Sequence, residues 1–208
     1  MNSKVIDCIV SRKLPRQGRS KTLVAAILEA AIHVLADGGI RGFTTARVAE
    51  KAGISVGSLY QYFPNKAAIL FQLQVNEWRK TQQLIETILA DMTKPPREKL
   101  ETAIRSFIQS ECDESSIRKA LGDASPFYRN TPEFAVAKSD TKINLVQFIS
   151  EFLPDASDET LVFVEDLLLR VVTSFGKQFS EESKTDADIK RYSAALANML
   201  AMQIETYK

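Results

Sequence analysis

The segment GFTTARVAEKAGISVGSLYQYFPNK, residues 42–66, decides the fold of this chain. The pair Thr44-Thr45 precedes an apolar helical pattern, and either hydroxyl can cap the free amides of a starting helix. Gly53 ends that pattern, and Ser55 can cap a second short helix, Val56 to Tyr62. The segment therefore predicts two short helices joined by a glycine turn, as in a helix-turn-helix. Helix pairs with a glycine turn also occur in plain bundles, so the pattern alone leaves both interpretations open.

The exposed face of the second predicted helix favours DNA binding. Its side chains are small, hydroxyl-bearing or aromatic, without an acidic residue: Ser55, Val56, Gly57, Ser58, Tyr60, Gln61 and Tyr62. An ordinary solvated face is rich in Glu, Lys and Ala, whereas short side chains allow a close approach to base edges. Lys66 places a cation in the first turn of the next helix, where it opposes the helix dipole and suits an anionic partner. This face predicts a helix that enters the major groove.

Residues 20–70 resemble the DNA-binding region of the tetracycline-repressor (TetR) family. The matching positions are Gly38-Gly39, Thr44-Thr45, Ala49, Ala52-Gly53, Ser55, Gly57, Leu59-Tyr60, Phe63 and Lys66. The resemblance implies a homodimer that binds a palindromic operator, with a dimer interface built from the last two helices of each subunit and an inducer pocket in the C-terminal helices. Many members have a histidine at the position of Tyr62, where the tyrosine keeps a phosphate donor.

The family pattern implies two sets of DNA contacts. The residues expected at phosphates are Thr44, Thr45, Tyr60, Tyr62 and Lys66. The residues expected nearest the bases are Ser55, Val56, Gly57, Ser58 and Gln61. A basic arm precedes them and either follows the DNA backbone, enters the minor groove or is a solvated tail; its cations are Arg12, Lys13, Arg16, Arg19 and Lys21.

The whole chain predicts an all-α fold of about nine helices, with a three-helix N-terminal domain and a larger C-terminal helical domain. The helices expected are Thr22 to Ala36, the two above, Lys66 to about Met92, Arg97 to Glu111, Ser115 to Leu121, Glu133 to Leu153, Asp158 to Glu182 and Asp186 to Tyr207. We assign residues 1–19 to the basic arm, 20–66 to the helix-turn-helix domain and 67–208 to a ligand-sensing and dimerisation domain.

Charge is distributed unevenly along the chain. Residues 1–66 hold ten Lys/Arg and four Asp/Glu, whereas residues 67–208 hold seventeen and twenty-two. A basic N-terminal unit suits phosphate contacts. Uninterrupted apolar runs are too short to cross a bilayer and no secretory signal pattern is present, so we expect a cytoplasmic protein without membrane contact. Cys8 and Cys112 have no partner spacing and are expected to be reduced thiols.

The C-terminal part is less specific. Its aromatic residues are candidates to line a pocket for a small apolar or amphipathic ligand, although aromatics at helical spacing also form ordinary core; the candidates are Trp78, Phe107, Phe127, Phe134 and Phe163. The last two predicted helices are apolar over so much of their circumference that each must bury two sides, one of them on a partner. The residues expected at that interface are Leu161, Leu168, Val172, Leu196 and Met199.

Other functions compete with an inducible repressor. A TetR-like regulator without a small-molecule ligand, controlled by a protein partner or constitutive, fits the same sequence, and so does a nonspecific DNA-coating protein. An enzyme has little support, because the sequence has no phosphate loop, no nucleophile elbow and no metal constellation around its single histidine, His33. We expect no catalytic residue, no metal and no cofactor.

Overall fold

The computed structural model describes residues 9–10 and 18–208. Cys8 and the arm residues Arg12, Lys13 and Arg16 lie outside the described residues, as does the side chain of Arg19. The described part of the chain forms ten α-helices and one 3-10 turn, without a strand, which confirms the all-α prediction. The helices are α1 (Gly18–Gly42), α2 (Thr45–Lys51), α3 (Val56–Tyr62), α4 (Lys66–Leu89), α5 (Pro96–Asp113), α6 (Ser115–Ala124), α7 (Pro132–Asp140), α8 (Val146–Phe152), α9 (Asp158–Phe179) and α10 (Asp186–Glu205), with the 3-10 turn at Ser125–Phe127.

The chain divides into two compact units. Unit 1 contains the described residues up to Arg79 together with Ser116–Thr141, and unit 2 contains Lys80–Ser115 and Lys142–Lys208. The division falls inside α4, and the α6–α7 segment belongs to the same unit as the three N-terminal helices. This division by packing is distinct from the functional boundary predicted after residue 66, which stays a prediction.

Unit 1 is organised around the short helix α3. Seven residues are too few for a stable isolated helix, so packing must hold it in place. Leu59 and Phe63 are fully buried and supply that packing, as the sequence predicts. They join a cluster with residues of α1, α2, α4 and the α1–α2 connection, among them Ile27, Ala31, Leu35, Phe43, Val48 and Ile69.

Helix α1 corrects one expectation. By length and composition it is apolar enough to cross a membrane: an 18-residue window within Ser20–Gly42 has a mean hydropathy of 1.7. The sequence predicts no such segment, because its uninterrupted apolar runs are short, whereas the window averages over Ala-rich sequence. In unit 1, Ile27, Val34 and Leu35 of α1 are buried in the core. Core packing therefore accounts for part of the apolar surface of α1, since 28% of the window is buried.

The α6–α7 segment of unit 1 is anchored by Tyr128. This side chain is buried, and its hydroxyl donates to the carbonyl of Leu121 at 3.0 Å. Its ring lies 5.7 Å from that of Phe71 in α4 and 5.9 Å from that of Phe134 in α7, measured between centroids. Burial raises the pKa of the Tyr128 phenol, so the hydroxyl stays a donor at neutral pH.

The single helix predicted over residues 133–153 is wrong, because the structure has two helices there, α7 and α8. Thr141 ends α7, with both its amide and its hydroxyl donating to the carbonyl of Ala137. Asn144 accepts from the amide of Val146, and the carboxylate of Glu165 accepts from the amide of Leu145 at 2.8 Å. These side chains satisfy the backbone groups that a continuous helix would have paired.

Unit 2 is a bundle in which α5 packs against both α9 and α10, and α8 packs against α9 and α5. The interior is almost entirely aliphatic and aromatic. One exception is Lys99 of α5, whose side chain is fully buried. Its ammonium donates to the carbonyl of Leu89 at 3.1 Å and to both carboxylate oxygens of Glu151 at 2.6 and 2.7 Å.

Candidate nucleic-acid interface

The two short helices α2 and α3 begin at the predicted caps. Thr44, rather than Thr45, is the N-cap of α2, and its hydroxyl oxygen accepts from the amide of Arg47 at 3.2 Å. Ser55 is the N-cap of α3 and accepts from the amide of Ser58 at 3.0 Å. A capping hydroxyl uses its oxygen, so the hydroxyl proton of Thr44 is still available to donate to a phosphate.

The turn between the helices depends on Gly53. Its φ is +68°, a conformation in which an L side chain is strained. The amide of Gly53 donates to Glu50 at 3.1 Å and the amide of Ile54 donates to Ala49 at 3.0 Å. This pair of bonds is a Schellman motif, which satisfies the last carbonyls of α2. Gly53 therefore sets the angle between α2 and α3.

Four of the predicted phosphate contacts are joined or restrained by neighbours. The hydroxyls of Thr45 and Tyr60 lie 3.1 Å apart, so one donates to the other and α2 is linked to α3. Lys66 opens α4, and its ammonium lies 4.7 Å from the centroid of the Phe127 ring. Tyr62 is half-buried and packs against the core of unit 1, so it is less accessible than its sequence position suggests.

The predicted base-reading face is largely open. Val56, Gly57 and Gln61 are exposed; Val56 is small and Gly57 has no side chain, so neither obstructs a close approach. Ser58 is half-buried, and its hydroxyl lies 2.8 Å from that of Ser55. One of the two serine hydroxyls donates its proton to the other, which leaves one hydroxyl proton of the pair free to donate.

Arg47 is a cation that the sequence prediction missed. It is exposed on α2, and its guanidinium donates to the carbonyl of Gly42 at 2.9 Å. A Cβ built on Gly42 or Gly38 would lie 2.8 or 2.9 Å from the Arg47 guanidinium, so both glycines leave room for this side chain. The signal in the sequence is an arginine three residues after a helix cap and close behind a glycine-rich corner.

Unit 2 contains an apolar cavity with a free volume of about 60 Å³. Its lining is Ile85, Leu89, Leu100, Ala103, Ile104, Phe107, Ile143, Leu145, Phe148, Leu168, Leu169, Val172 and Thr173. The one hydroxyl in this lining, that of Thr173, already donates to the carbonyl of Leu169 at 2.6 Å. The cavity therefore offers an occupant apolar contact and no charged partner.

Of the five predicted pocket residues, Phe107 lines this cavity. The other four lie elsewhere. Trp78 and Phe134 pack edge to face in unit 1, with centroids 5.2 Å apart, and Phe127 lies beneath Lys66. Phe163 is half exposed and packs edge to face against Tyr207. Aromatic size is a poor guide here because most of the lining is aliphatic.

The residues predicted for the dimer interface differ in how much surface they leave for a partner, and the interface itself stays a prediction. Leu161, Leu168 and Leu196 are buried in the core of unit 2, and Val172 lines the cavity. Leu161, Leu168 and Leu196 therefore have almost no surface left for a partner, and Val172 is half-buried, whereas Met199 is exposed. The exposed apolar side chains of α9 and α10 and the residues that follow are instead Val162, Phe163, Tyr192, Met199, Met202 and Tyr207.

Two family profiles match the chain and together cover most of it. Residues 27–73 match the family described as bacterial regulatory proteins, tetR family. Residues 95–205 match the tetracyclin repressor-like C-terminal domain. No curated protein matches the sequence.

Several solved structures share the fold at low sequence identity. A TetR-family transcriptional regulator of Mesorhizobium loti has a TM-score of 0.69 and 16% identity, covering 90% of this chain and 98% of the other. A TetR-like regulator of Rhodococcus sp. RHA1 has a TM-score of 0.60 and 20% identity, covering 94% of this chain and 100% of the other. The fatty acid degradation regulator FadR of Bacillus halodurans has a TM-score of 0.60 and 16% identity, covering 92% of this chain and 97% of the other.

Proposed function

Since this chain belongs to the tetracycline-repressor (TetR) family of bacterial regulatory proteins, we propose that it is a cytoplasmic repressor that binds a palindromic operator as a homodimer. A small apolar ligand that enters the cavity of unit 2 releases the DNA. The observation that carries the DNA-binding part is the open face of α3, where Val56, Gly57 and Gln61 are exposed beside the linked hydroxyls of Thr45 and Tyr60.

The roles of the side chains follow from their chemistry. Thr44, Lys66 and the Thr45–Tyr60 hydroxyl pair, which keeps one free proton, donate to phosphate oxygens and fix the position of the protein on the duplex, with Tyr62 at the margin of this set. Gln61 has an amide that can pair with an adenine edge in the major groove, and the small residues around it allow that approach. Arg47 adds a further exposed cation on α2.

Substitution of these residues is expected to separate positioning from base reading. Lys66→Ala and Tyr60→Phe should weaken binding to every duplex sequence alike. Lys66→Ala should also reduce the salt slope by about one, because it removes a cation, whereas Tyr60→Phe removes a neutral hydroxyl and should leave the slope unchanged. Gln61→Ala should change the preferred base at one position of each half-site, by about 1–3 kcal/mol. The measurement is fluorescence anisotropy over a range of KCl concentrations, with a palindrome selected from random DNA and a random duplex.

Lys138→Ala provides the matched control, because it removes an exposed cation from α7 of the same unit. It should leave affinity and salt slope unchanged. If Lys66→Ala behaves like this control, Lys66 does not contact phosphate. A selected palindrome that competes no better than random DNA would favour a nonspecific DNA-coating protein.

The cavity supports an uncharged ligand. Its volume is smaller than the roughly 150 Å³ of an engineered apolar cavity that binds benzene, so a larger occupant must displace side chains of the lining. A ligand that binds better to the conformation with low DNA affinity lowers operator affinity by the same coupling free energy.

Filling the cavity is expected to abolish the ligand response. In the wild-type protein we expect toluene or n-hexanol to raise the melting temperature, and Ala103→Leu, which adds three carbons to the lining, should remove that rise. Ala135→Leu, on the exposed face of α7, is the control and should keep that rise. If neither compound shifts the wild-type melting temperature or releases operator DNA, a regulator without a small-molecule ligand is favoured, controlled by a protein partner or constitutive.

A further inference from the structure

The aromatic ring of Phe127 stabilises the Lys66 ammonium at the N-terminus of α4, where a cation is unfavourable. The ammonium of Lys66 lies 4.7 Å from the ring centroid, within the range of a cation–π contact. Lys66 is the first residue of α4, where the unpaired amides of the helix carry a partial positive charge and disfavour a cation. The negative face of the ring offsets this repulsion and holds the ammonium at the start of the helix.

The ring itself is held by the fold of unit 1. Phe127 ends the 3-10 turn, and the next residue, Tyr128, is the buried anchor of the α6–α7 segment. The Tyr128 ring packs on Phe71, which lies on the same helix as Lys66. The amide of Arg129 donates to the carbonyl of Ser125 at 2.8 Å and closes the turn. The position of the Phe127 backbone relative to the start of α4 is therefore fixed by buried contacts.

We propose that Phe127 is a positioning residue for DNA binding, which holds the Lys66 ammonium where a phosphate meets the start of α4. This inference rests on the proposed phosphate contact of Lys66. A lysine that is free in solvent loses rotamer freedom when it binds an anion, and a lysine already held by a ring loses less. DNA affinity then depends on a residue 61 positions after Lys66 in the sequence, outside the helix-turn-helix.

The test compares side chains with and without an aromatic face. Phe127→Leu keeps an apolar side chain but removes the ring, and should weaken binding about three- to tenfold to a selected palindrome and to a random duplex alike. Its salt slope should fall toward that of Lys66→Ala. Phe127→Trp keeps a cation–π partner and should retain wild-type affinity. In the Lys66→Ala background, Phe127→Leu should have no further effect, because the ring acts through that lysine.

Val136→Ala is the control for loss of exposed apolar surface from the same segment, and should leave DNA affinity unchanged. A second measurement does not involve DNA: ring current from Phe127 should shift the ε-methylene protons of Lys66 upfield in the NMR spectrum of the wild-type protein. If the ε-methylene signals of Lys66 are not shifted, the ring does not contact the ammonium. This measurement uses only the wild-type protein, so it does not depend on the stability of the variants.

The outcomes separate this inference from the proposed function. If the wild-type protein does not prefer any palindrome, the proposed function fails, while a loss of random-duplex affinity in Phe127→Leu still supports the positioning role. If Phe127→Leu binds DNA as tightly as the wild type or more tightly, the ring does not position Lys66 for phosphate. Equal weakening by Phe127→Leu with and without Lys66 also overturns the proposal, since the ring would then act through packing alone.

Discussion

Replacement of Met199 by Glu is expected to convert the proposed dimer into a monomer. Helix α10 carries a row of exposed apolar or small residues, Tyr192, Ala195, Met199 and Met202, spaced by three, four and three residues. Such spacing places them on one side of the helix, as in the seam of a helix bundle. Met199 is 67% exposed and Met202 is 58% exposed within one chain, so this row is available to a second copy.

The size of the expected effect follows from desolvation. In a twofold interface each Glu would lose water without gaining a partner, and the two symmetry-related carboxylates would lie near one another. Light scattering after size-exclusion chromatography should report a mass of about 46 kDa for the wild-type dimer and 23.2 kDa for Met199→Glu, since one chain has a mass of 23.2 kDa.

Asn198→Asp is the matched control, because it places a new charge on the neighbouring exposed position of α10, away from the row. It should remain dimeric. If Met199→Glu is also dimeric, the partner surface lies elsewhere on the chain.

Loss of the dimer should also reduce operator binding. Two linked recognition helices bind two half-sites, and the second contact is made at a high effective concentration. Met199→Glu is therefore expected to lower operator affinity by at least about a hundredfold while each monomer keeps its weak affinity for a half-site. On a duplex that contains one half-site only, the affinities of the wild-type protein and Met199→Glu should differ much less.

The part of the fold that sequence predicts well is governed by local rules. Thr44, Gly53 and Ser55 act on backbone groups within three or four residues of themselves, so their residue types are sufficient to place α2, the turn and α3. The predicted α3, Val56 to Tyr62, has the bounds found in the structure. The roles of these residues at DNA stay predictions.

The difference between the residues predicted for the dimer face and those exposed on α9 and α10 arises from rotation about a helix. Both sides of α9 and α10 are apolar, and periodicity shows that two faces are buried without showing which one faces the core. Leu161 is buried, whereas Val162 and Phe163, one and two positions later, are exposed. Only the packing of α9 on α5 and α8 settles the rotation, and those contacts are between residues far apart in sequence.

The break between α7 and α8 is a second case in which distant residues decide. Glu165, on α9, binds the amide of Leu145 and pairs with Lys142, so it stabilises an interruption that no local signal predicts. The cavity of unit 2 also depends on contacts between residues that are far apart in sequence. It is formed where mostly aliphatic residues of five segments meet incompletely, and the five aromatic residues predicted for the pocket include one of its thirteen lining side chains, Phe107.

Removal of the Glu151 carboxylate is expected to destabilise unit 2 by about 3–5 kcal/mol, because it leaves a buried ammonium without its counter-charge. Lys99 is 0% exposed, whereas Glu151 keeps 26% of its side-chain surface. In Glu151→Ala the Lys99 ammonium retains the Leu89 carbonyl and the face of the Phe148 ring, 5.6 Å from the centroid. These neutral partners do not replace a carboxylate. Urea unfolding should show the change as a lower midpoint.

The partner substitution should behave differently. Lys99→Met removes the buried charge and fills nearly the same volume, and the half-exposed Glu151 can then be hydrated, so stability should change by less than about 1.5 kcal/mol. Comparable destabilisation by Lys99→Met would show that the ion pair itself contributes net stability.

The Lys99–Glu151 pair also affects the cavity of unit 2, because Leu89 and Phe148, which contact Lys99, are part of the cavity lining. Lys99→Met should therefore retain the response to toluene, whereas Glu151→Ala places an unpaired cation beside the cavity wall and should weaken that response.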